Sequence, residues 1–349
     1  MKDRTGSRAA STFVGCLALV GLLAGAEASA AKTDVVVLVN GDAITGEVKS
    51  LDFGTLRYST DSMGTVQIDW EDVVSLVSNQ SLQFEVVDGR RYYGTVTPGG
   101  EQQLTVATTA GPVALSLASI VRVVPIERDD RWWQRLEGSL SFGFNAQKGT
   151  EVTTLNLAFD ASYRTLNWLA GLTINSAITD QTEEDVSMRQ NVGLQYQRFR
   201  SNRWFTGWFA NWETNDELGI NSRVLFGAGL GRYAVQTNTN ELSLAAGLVA
   251  TRETFTGESE STTNAEGLLQ VKYLHRNTEP DRSINFTANV FPLLEDFSSF
   301  RTESDLTLRY EFIDNLFLDL TLFHSYTSDP PEDAVSADYG ITTSLGYSF

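Results

Sequence analysis

The chain has 349 residues, a formal net charge of -18, one Cys, two His, 28 Gly and 7 Pro, with 42% hydrophobic and 11% aromatic residues. That length supplies one large domain or two ordinary ones, and the acidity argues against a nucleic-acid partner, whose phosphates are held mainly by Lys and Arg. Nineteen Phe, 11 Tyr and 7 Trp exclude a disordered chain, and the slightly polar mean hydropathy of -0.16 excludes a bundle of membrane helices.

Residues 1–30 carry Lys2, Arg4 and Arg8, then the apolar run from Phe13 to Gly25, then Ala28-Ser29-Ala30. This is the pattern of a secretory signal peptide cut after Ala30. The run falls short of the roughly 20 apolar residues of a spanning helix, and it continues past Cys16, which argues against a lipoprotein signal. Cleavage removes the only Cys, so neither a disulfide framework nor a Cys-ligated metal is expected. The signal carries net charge +1, residues 32–124 carry -5 and residues 125–349 carry -14.

Residues 31–124 read as a tandem module, with copies at 34–78 and 81–124. Val39-Asn-Gly41 through Gly46-Glu-Val48 is matched by Val87-Asp-Gly89 through Gly94-Thr-Val96, and Leu56 to Thr60 by Leu104 to Thr108. Self-similarity at a fixed offset marks two copies of one supersecondary unit. Asn-Gly and Asp-Gly between alternating segments are hairpin signals. The pattern resembles the opening hairpin of small SH3-like or Sm-like barrels, and such a pair serves either as an all-β spacer or as a ligand-binding unit. Residues 125–135 form a linker.

From Leu136 to Phe349 a two-residue alternation recurs about twelve times, as in Leu155 to Tyr163, Leu306 to Phe312 and Leu316 to Leu322. One face is apolar. The other carries Arg189, Lys272, Glu303, Asp305, Arg309 and Asp319. A soluble sheet would bury the apolar face, whereas a transmembrane barrel turns it to lipid and lines its lumen with the polar one. Connection lengths favour the barrel: segments such as 254–263 and 292–300 alternate with short ones such as 164–167 and 313–315, as in bacterial outer-membrane proteins. An even strand count returns the C-terminus to the side of the N-terminal module. Tyr163, Tyr196, Tyr233, Tyr310, Tyr347 and Phe349 fall near strand ends on that side, where amphipathic rings form an interfacial girdle.

Three stretches carry a family resemblance: Leu225-Phe-Gly-Ala-Gly-Leu-Gly-Arg-Tyr233, Leu242 to Leu248 leading to Arg252-Glu-Thr-Phe255, and Ser328-Asp-Pro-Pro-Glu332 leading to Thr342 to Phe349. From about Trp133 onward the chain resembles the salt-induced outer membrane protein family (YdiY-like), a barrel family of unknown function. The resemblance implies an outer-membrane barrel and brings no catalytic residues. The closing stretch with Tyr347 and Phe349 also resembles the terminal signal read by the barrel assembly machinery.

Chemical motifs are few. Gly227, Gly229 and Gly231 lack the following helix and the Lys-Ser/Thr of a phosphate loop, and instead bare one face of a strand. His324 and Ser325 are adjacent and so point to opposite faces, unlike a hydrolase pair two residues apart. No enzyme, cofactor or metal site is therefore expected. Acids crowd the longer connections: Asp180, Glu183, Glu184 and Asp185; Asp216 and Glu217; Glu258 and Glu260; Glu295 and Asp296; Asp329, Glu332 and Asp333. An acidic mouth attracts cations, or simply keeps exposed loops solvated. Arg164, Arg200, Arg203, Arg276 and Arg282 sit at the opposite mouth.

The expected architecture is thus all-β: an antiparallel up-and-down transmembrane barrel of about 12 strands at 136–349, in the outer membrane, behind a periplasmic tandem SH3-like/Sm-like module. The expected function is non-enzymatic, either a narrow channel for small polar or cationic solutes or an envelope-integrity and stress protein. The alternative is a barrel that anchors a module binding peptidoglycan or a protein. Expected partners are outer-membrane lipid and lipopolysaccharide, the barrel assembly machinery and a periplasmic component, with no nucleic acid.

Overall fold

The computed structural model describes residues 32–100, 102–126, 136–147, 152–181, 186–257, 260–278, 281–313, 315–330 and 335–349. The expected signal peptide at 1–30 and most of the linker at 125–135 lie outside them.

The N-terminal module holds nine strands: β1 (Asp34–Leu38), β2 (Ala43–Asp52), β3 (Thr55–Ser59), β4 (Thr65–Asp69), β5 (Val73–Val86), β6 (Arg91–Pro98), β7 (Gln103–Thr108), β8 (Gly111–Ser116) and β9 (Ile120–Pro125). The sheet runs β4-β3-β2-β1-β5-β6-β7-β8, with β9 closing against β2 and β5. The internal repeat explains this order. A short 3-10 turn precedes the last strand of each copy, at Trp70–Asp72 and Leu117–Ser119. Strand β5 serves both copies: Val73 to Val77 pair with β1, while Leu82 to Val86 pair with β6 and β9. The two copies consequently share one core, which runs from Val36, Leu51, Tyr58 and Trp70 to Phe84, Leu104, Ile120 and Val123. Neither copy is an independent lobe.

One core group is ionisable. Asp34 is fully buried and accepts hydrogen bonds at Oδ2 from the Val48 amide (2.9 Å) and from Gln80 (3.0 Å), while Oδ1 has no partner. Burial pushes its carboxyl above the ordinary range, more than the hydrogen bonds lower it. A raised folded-state value means that the carboxyl's contribution to stability is fully present below its unfolded value of about 3.9. That contribution is lost as pH rises through the folded value. Asp34→Asn is expected to stabilise the module at neutral pH and to flatten the fall in its stability as pH rises above about 4, as read by hydrogen exchange of 33–126 at several pH values.

Twelve further strands form a closed antiparallel barrel: β10 (Leu136–Gln147), β11 (Val152–Arg164), β12 (Trp168–Gln181), β13 (Ser187–Phe199), β14 (Trp204–Asn215), β15 (Ile220–Gln236), β16 (Asn240–Phe255), β17 (Thr262–Thr278), β18 (Asp281–Pro292), β19 (Phe300–Ile313), β20 (Leu316–Thr327) and β21 (Ala337–Ser348). Closure joins β10 to β21 through Ser139↔Ser348 to Phe142↔Leu345, and Gly138 and Phe349 exchange both backbone hydrogen bonds at the seam. A closed sheet satisfies every strand edge, which hydrocarbon demands.

Alternation assigns the two faces. Leu140, Phe142, Leu194, Trp208, Phe226, Leu248, Leu269, Leu318 and Ile341 all lie outward and exposed, whereas Leu225, Val249, Leu268, Phe291 and Phe317 are buried inside. An apolar exterior continuous over every strand is the lipid-facing surface of a transmembrane barrel. No helix among the described residues is long and apolar enough to cross a membrane.

Five outward rings follow one another across neighbouring strands, from Tyr163 to Trp168 (5.4 Å), Tyr196 (5.9 Å), Trp208 (5.8 Å) and Phe226 (6.4 Å). Tyr347 and Phe349 also face outward, and Phe349 stacks on Phe159. Tyr233 does not join this girdle. It lies inside, 8% exposed and 5.1 Å from Phe205, because it shares its side of β15 with Gly227, Gly229 and Gly231.

Candidate functional site

The lumen is the largest feature that the fold positions. Its contents follow from the inward positions of each strand. At the end bearing the longer connections, Glu213, Arg223 and Glu253 stand opposite one another on β14, β15 and β16. Arg223, 4% exposed, donates to Glu213 (3.0 Å) and to Glu253 (2.8 Å). Arg301 on β19 reaches over Phe291 of β18, its guanidinium 3.6 Å from the ring centroid, and donates to Glu266 of β17 at 2.9 and 3.0 Å. It also pairs with Glu303.

Another contact crosses the lumen. Arg189 on β13 and Asn215 on β14 meet Asp338 on β21 at 3.5 and 3.3 Å, and the Arg189 guanidinium lies 3.8 Å from the Phe323 ring centroid on β20. Strands β10 to β12 separate β13 from β21 around the wall, so this group forms a chord across the interior. Nearer the other end, Arg309 donates to Asp319 at 2.8 and 2.9 Å and covers Phe317 at 3.4 Å.

All six residues expected to face the lumen lie on the inward alternation. Arg189, Glu303, Arg309 and Asp319 enter the ion pairs above. Lys272 stands between Ser243 and Thr287, and Asp305 stands opposite Thr287 and Phe323.

Below the charges sit two apolar groups, Leu225, Val249, Leu268 and Phe291 with Phe209, then Phe199, Phe205 and Tyr233 with Leu169. The glycines of β15 make room for them. A Cβ on Gly227 would lie 2.4 Å from the Phe209 ring, and one on Gly231 would lie 2.2 Å from that of Phe205. The alternate glycines, which bare this face of β15, therefore form a groove, and phenylalanines from β14 fill it.

The tandem module covers this end of the barrel. Its β2–β3 turn brings Gly54 (φ +71) so close to Asn238 that a Cβ would come 3.2 Å from the Asn238 carbonyl oxygen. The β5–β6 turn brings Gly89 (φ +83) against Arg203, where a Cβ would meet Cγ at 2.5 Å. Both positions combine a left-handed backbone with close approach, so glycine suits them. Between these turns lies Arg122 on β9, 5% exposed. It donates to Asp52 at 2.9 and 3.2 Å and to Glu85 at 3.4 Å, and stands 3.9 Å from Glu241 of β16. Arg57 and Glu137 add a peripheral pair at 3.0 Å.

The acidic mouth is more dispersed. Asp180, Glu260 and Asp329 are exposed at or beyond strand ends. Asp216 accepts from the Met188 amide and Glu217 from Ser187, whereas Asp296 accepts twice from Ser298 beside Glu295. Those bonds hold the Asp296 carboxyl below its ordinary range. Glu183, Glu184, Asp185, Glu258, Glu332 and Asp333 lie outside the described residues. Among the described residues, no three His, Cys, Asp or Glu converge as a metal site.

The profile of a family described as "Protein of unknown function, DUF481" matches residues 140–349. The chain belongs to the DUF481 family. The family match covers nearly the whole barrel and stops short of the tandem module. No curated protein matches the chain. Among solved structures, the NanC porin is similar over 61% of this chain and 98% of its own, at 12% identity and TM-score 0.37. The translocator domain of autotransporter NalP from Neisseria meningitidis matches over 61% and 87%, at 15% identity and TM-score 0.33. The β domain of the Bordetella autotransporter BrkA matches over 61% and 98%, at 12% identity and TM-score 0.32. The likeness at these scores is slight, and the barrel is established by its own strand pairing.

Several residues of the DUF481 lumen escaped the sequence reading: Arg223, Glu253, Glu266, Arg301 and Asp338. A signal existed for Arg301, which shares its alternation with Glu303, Asp305 and Arg309. Nothing local marks Arg122, Asp52, Glu85 or Glu241 as a junction.

Proposed function

We propose that the chain is a non-enzymatic outer-membrane barrel, closed along its lumen, that anchors its own tandem module at the periplasmic mouth. The observation that carries this reading is the chord of Arg189, Asn215 and Asp338 across the interior. The apolar groups and the docked module beneath it support the same reading. A twelve-stranded barrel is wide enough to conduct only where side chains leave its interior free. The apolar exterior suits an outer membrane, with the acidic loops toward lipopolysaccharide and the module toward peptidoglycan or an envelope protein. Outward Tyr347 and Phe349 suit recognition by the barrel assembly machinery. The envelope-stress role carried by the family resemblance fits a barrel of this kind, and sensitivity of a deletion strain to raised NaCl tests it.

A gated narrow conduit for small polar or cationic solutes is the second reading. It is favoured by the polar character of the module's contacts, since polar interdomain surfaces separate readily. Planar-bilayer recording decides between the two. The refolded full chain is expected to give no conductance steps, and Arg189→Ala with Asp338→Ala is expected to produce them if the module is also removed. Unitary steps from the intact, heat-modifiable chain would reject the closed anchor.

A further inference from the structure

Where the module meets the barrel rim, a cavity of about 310 Å³ is lined by Arg91, Asn167, Arg198, Phe199, Arg200 and Ser201. Three guanidiniums converge there in a chain of net charge -18. Arg91 comes from the start of β6, and its side chain is 16% exposed. Its nearest carboxylate, Glu85, stands 3.5 Å away and is shared with Arg122, and its buried Nε meets no acceptor. Arg198 and Arg200 are exposed, and no carboxylate among the described residues lies within ion-pair distance of either. Asn167 and Ser201, in the adjoining turns, add an amide and a hydroxyl.

Three guanidiniums that among the described residues have only one carboxylate between them, itself shared with Arg122, repel one another unless an anion sits among them. Planar, multiply donating guanidiniums match the oxygens of a phosphate. The position of Arg198 says where that phosphate comes from. Arg198 is paired opposite Trp168 and therefore faces outward, beside the row of Tyr163, Trp168 and Tyr196. Such rings sit at headgroup depth in a bilayer, so the cavity opens at the level of lipid phosphates.

We propose that this cavity binds the phosphate of an anionic lipid headgroup in the leaflet on the module side, held between Arg91 of the module and Arg198 and Arg200 of the barrel. The site rests on the reading of the outward belt as membrane-embedded. A bound headgroup contacts both parts of the chain and so clamps the module to the rim.

The test is native mass spectrometry of the refolded full chain with phosphatidylglycerol or cardiolipin, against phosphatidylcholine. Anionic lipid is expected to be retained about tenfold more strongly than phosphatidylcholine. Arg91→Gln with Arg198→Gln and Arg200→Gln is expected to abolish that preference, while Arg282→Gln, on the outward face of β18, leaves it intact. The exposed pair Arg198→Gln and Arg200→Gln reports the same loss if the triple variant does not fold. Unchanged retention by a folded variant, or equal loss in Arg282→Gln, overturns the site. Displacement of lipid by millimolar inorganic phosphate overturns the lipid assignment in favour of a free anion. Vesicle flotation separates the two levels: a chain that floats but shows no anionic preference defeats only this site, and a chain that does not float defeats the membrane reading with it.

Discussion

Arg301→Ala is expected to destabilise the barrel by about 3–5 kcal/mol, the range for stranding one partner of a buried ion pair. Arg301 and Glu266 are each 6% exposed, and Arg301 supplies two of the hydrogen bonds that Glu266 accepts. Removing the guanidinium leaves a carboxylate inside the wall and uncovers the Phe291 ring, which it now covers. Arg301→Met combined with Glu266→Gln and Glu303→Gln retains volume and neutralises both carboxylates that Arg301 pairs with, and is expected to recover most of the loss. Urea titration of the refolded chain, followed by heat-modifiable migration, measures both. Equal stability of Arg301→Ala and the parent would show that the pair contributes nothing net.

Arg122→Ala is the second large effect, and it falls on the module rather than the barrel. Glu85, 4% exposed, would lose its buried partner and keep only Arg91 at 3.5 Å. A loss of about 3–5 kcal/mol is expected, read as faster hydrogen exchange across 33–126. The change also alters the acid limb. Burial raises the Asp52 carboxyl, but Arg122, with Arg164 and Arg276 behind it, outweighs burial and holds it below the ordinary range. A depressed folded-state value gives stability that is present above the unfolded value of about 3.9. That stability is lost as pH falls through the folded one. The parent should therefore lose module stability below about pH 4, and Arg122→Ala should weaken this dependence, leaving what Arg164 and Arg276 still supply. Arg122→Lys keeps the charge without the forked geometry and should fall between them. Since Arg122 also faces Glu241, the alanine variant should release the module from the rim, seen as new protease cleavage in the turns around Gly54 and Gly89.

The period-two alternation is a local property, and so the twelve strands, the closed barrel and the lipid-facing surface were legible from residues such as Leu316 to Leu322. The tandem repeat was legible because self-similarity needs no third dimension. The inward placement of Arg189, Lys272, Glu303, Asp305, Arg309 and Asp319 followed from the same parity.

Parity, however, assigns a face and not a neighbour. Which inward charge meets which depends on how far the strands are staggered and how the sheet closes, and these bring Arg189 and Asp338 together from 149 residues apart. Tyr233 shows the same limit. Its position near a strand end predicted a girdle, but its side of β15 is the inward one, where rings fill the space left by glycines. Sharing of β5 by both repeats, and the docking of Arg122 against Glu241, join segments with no local mark of contact. The sequence by itself therefore determined the elements and their two faces. Only the tertiary structure decided that the interior is crossed by its own charges and covered by its own module, because those contacts arise from closure in space.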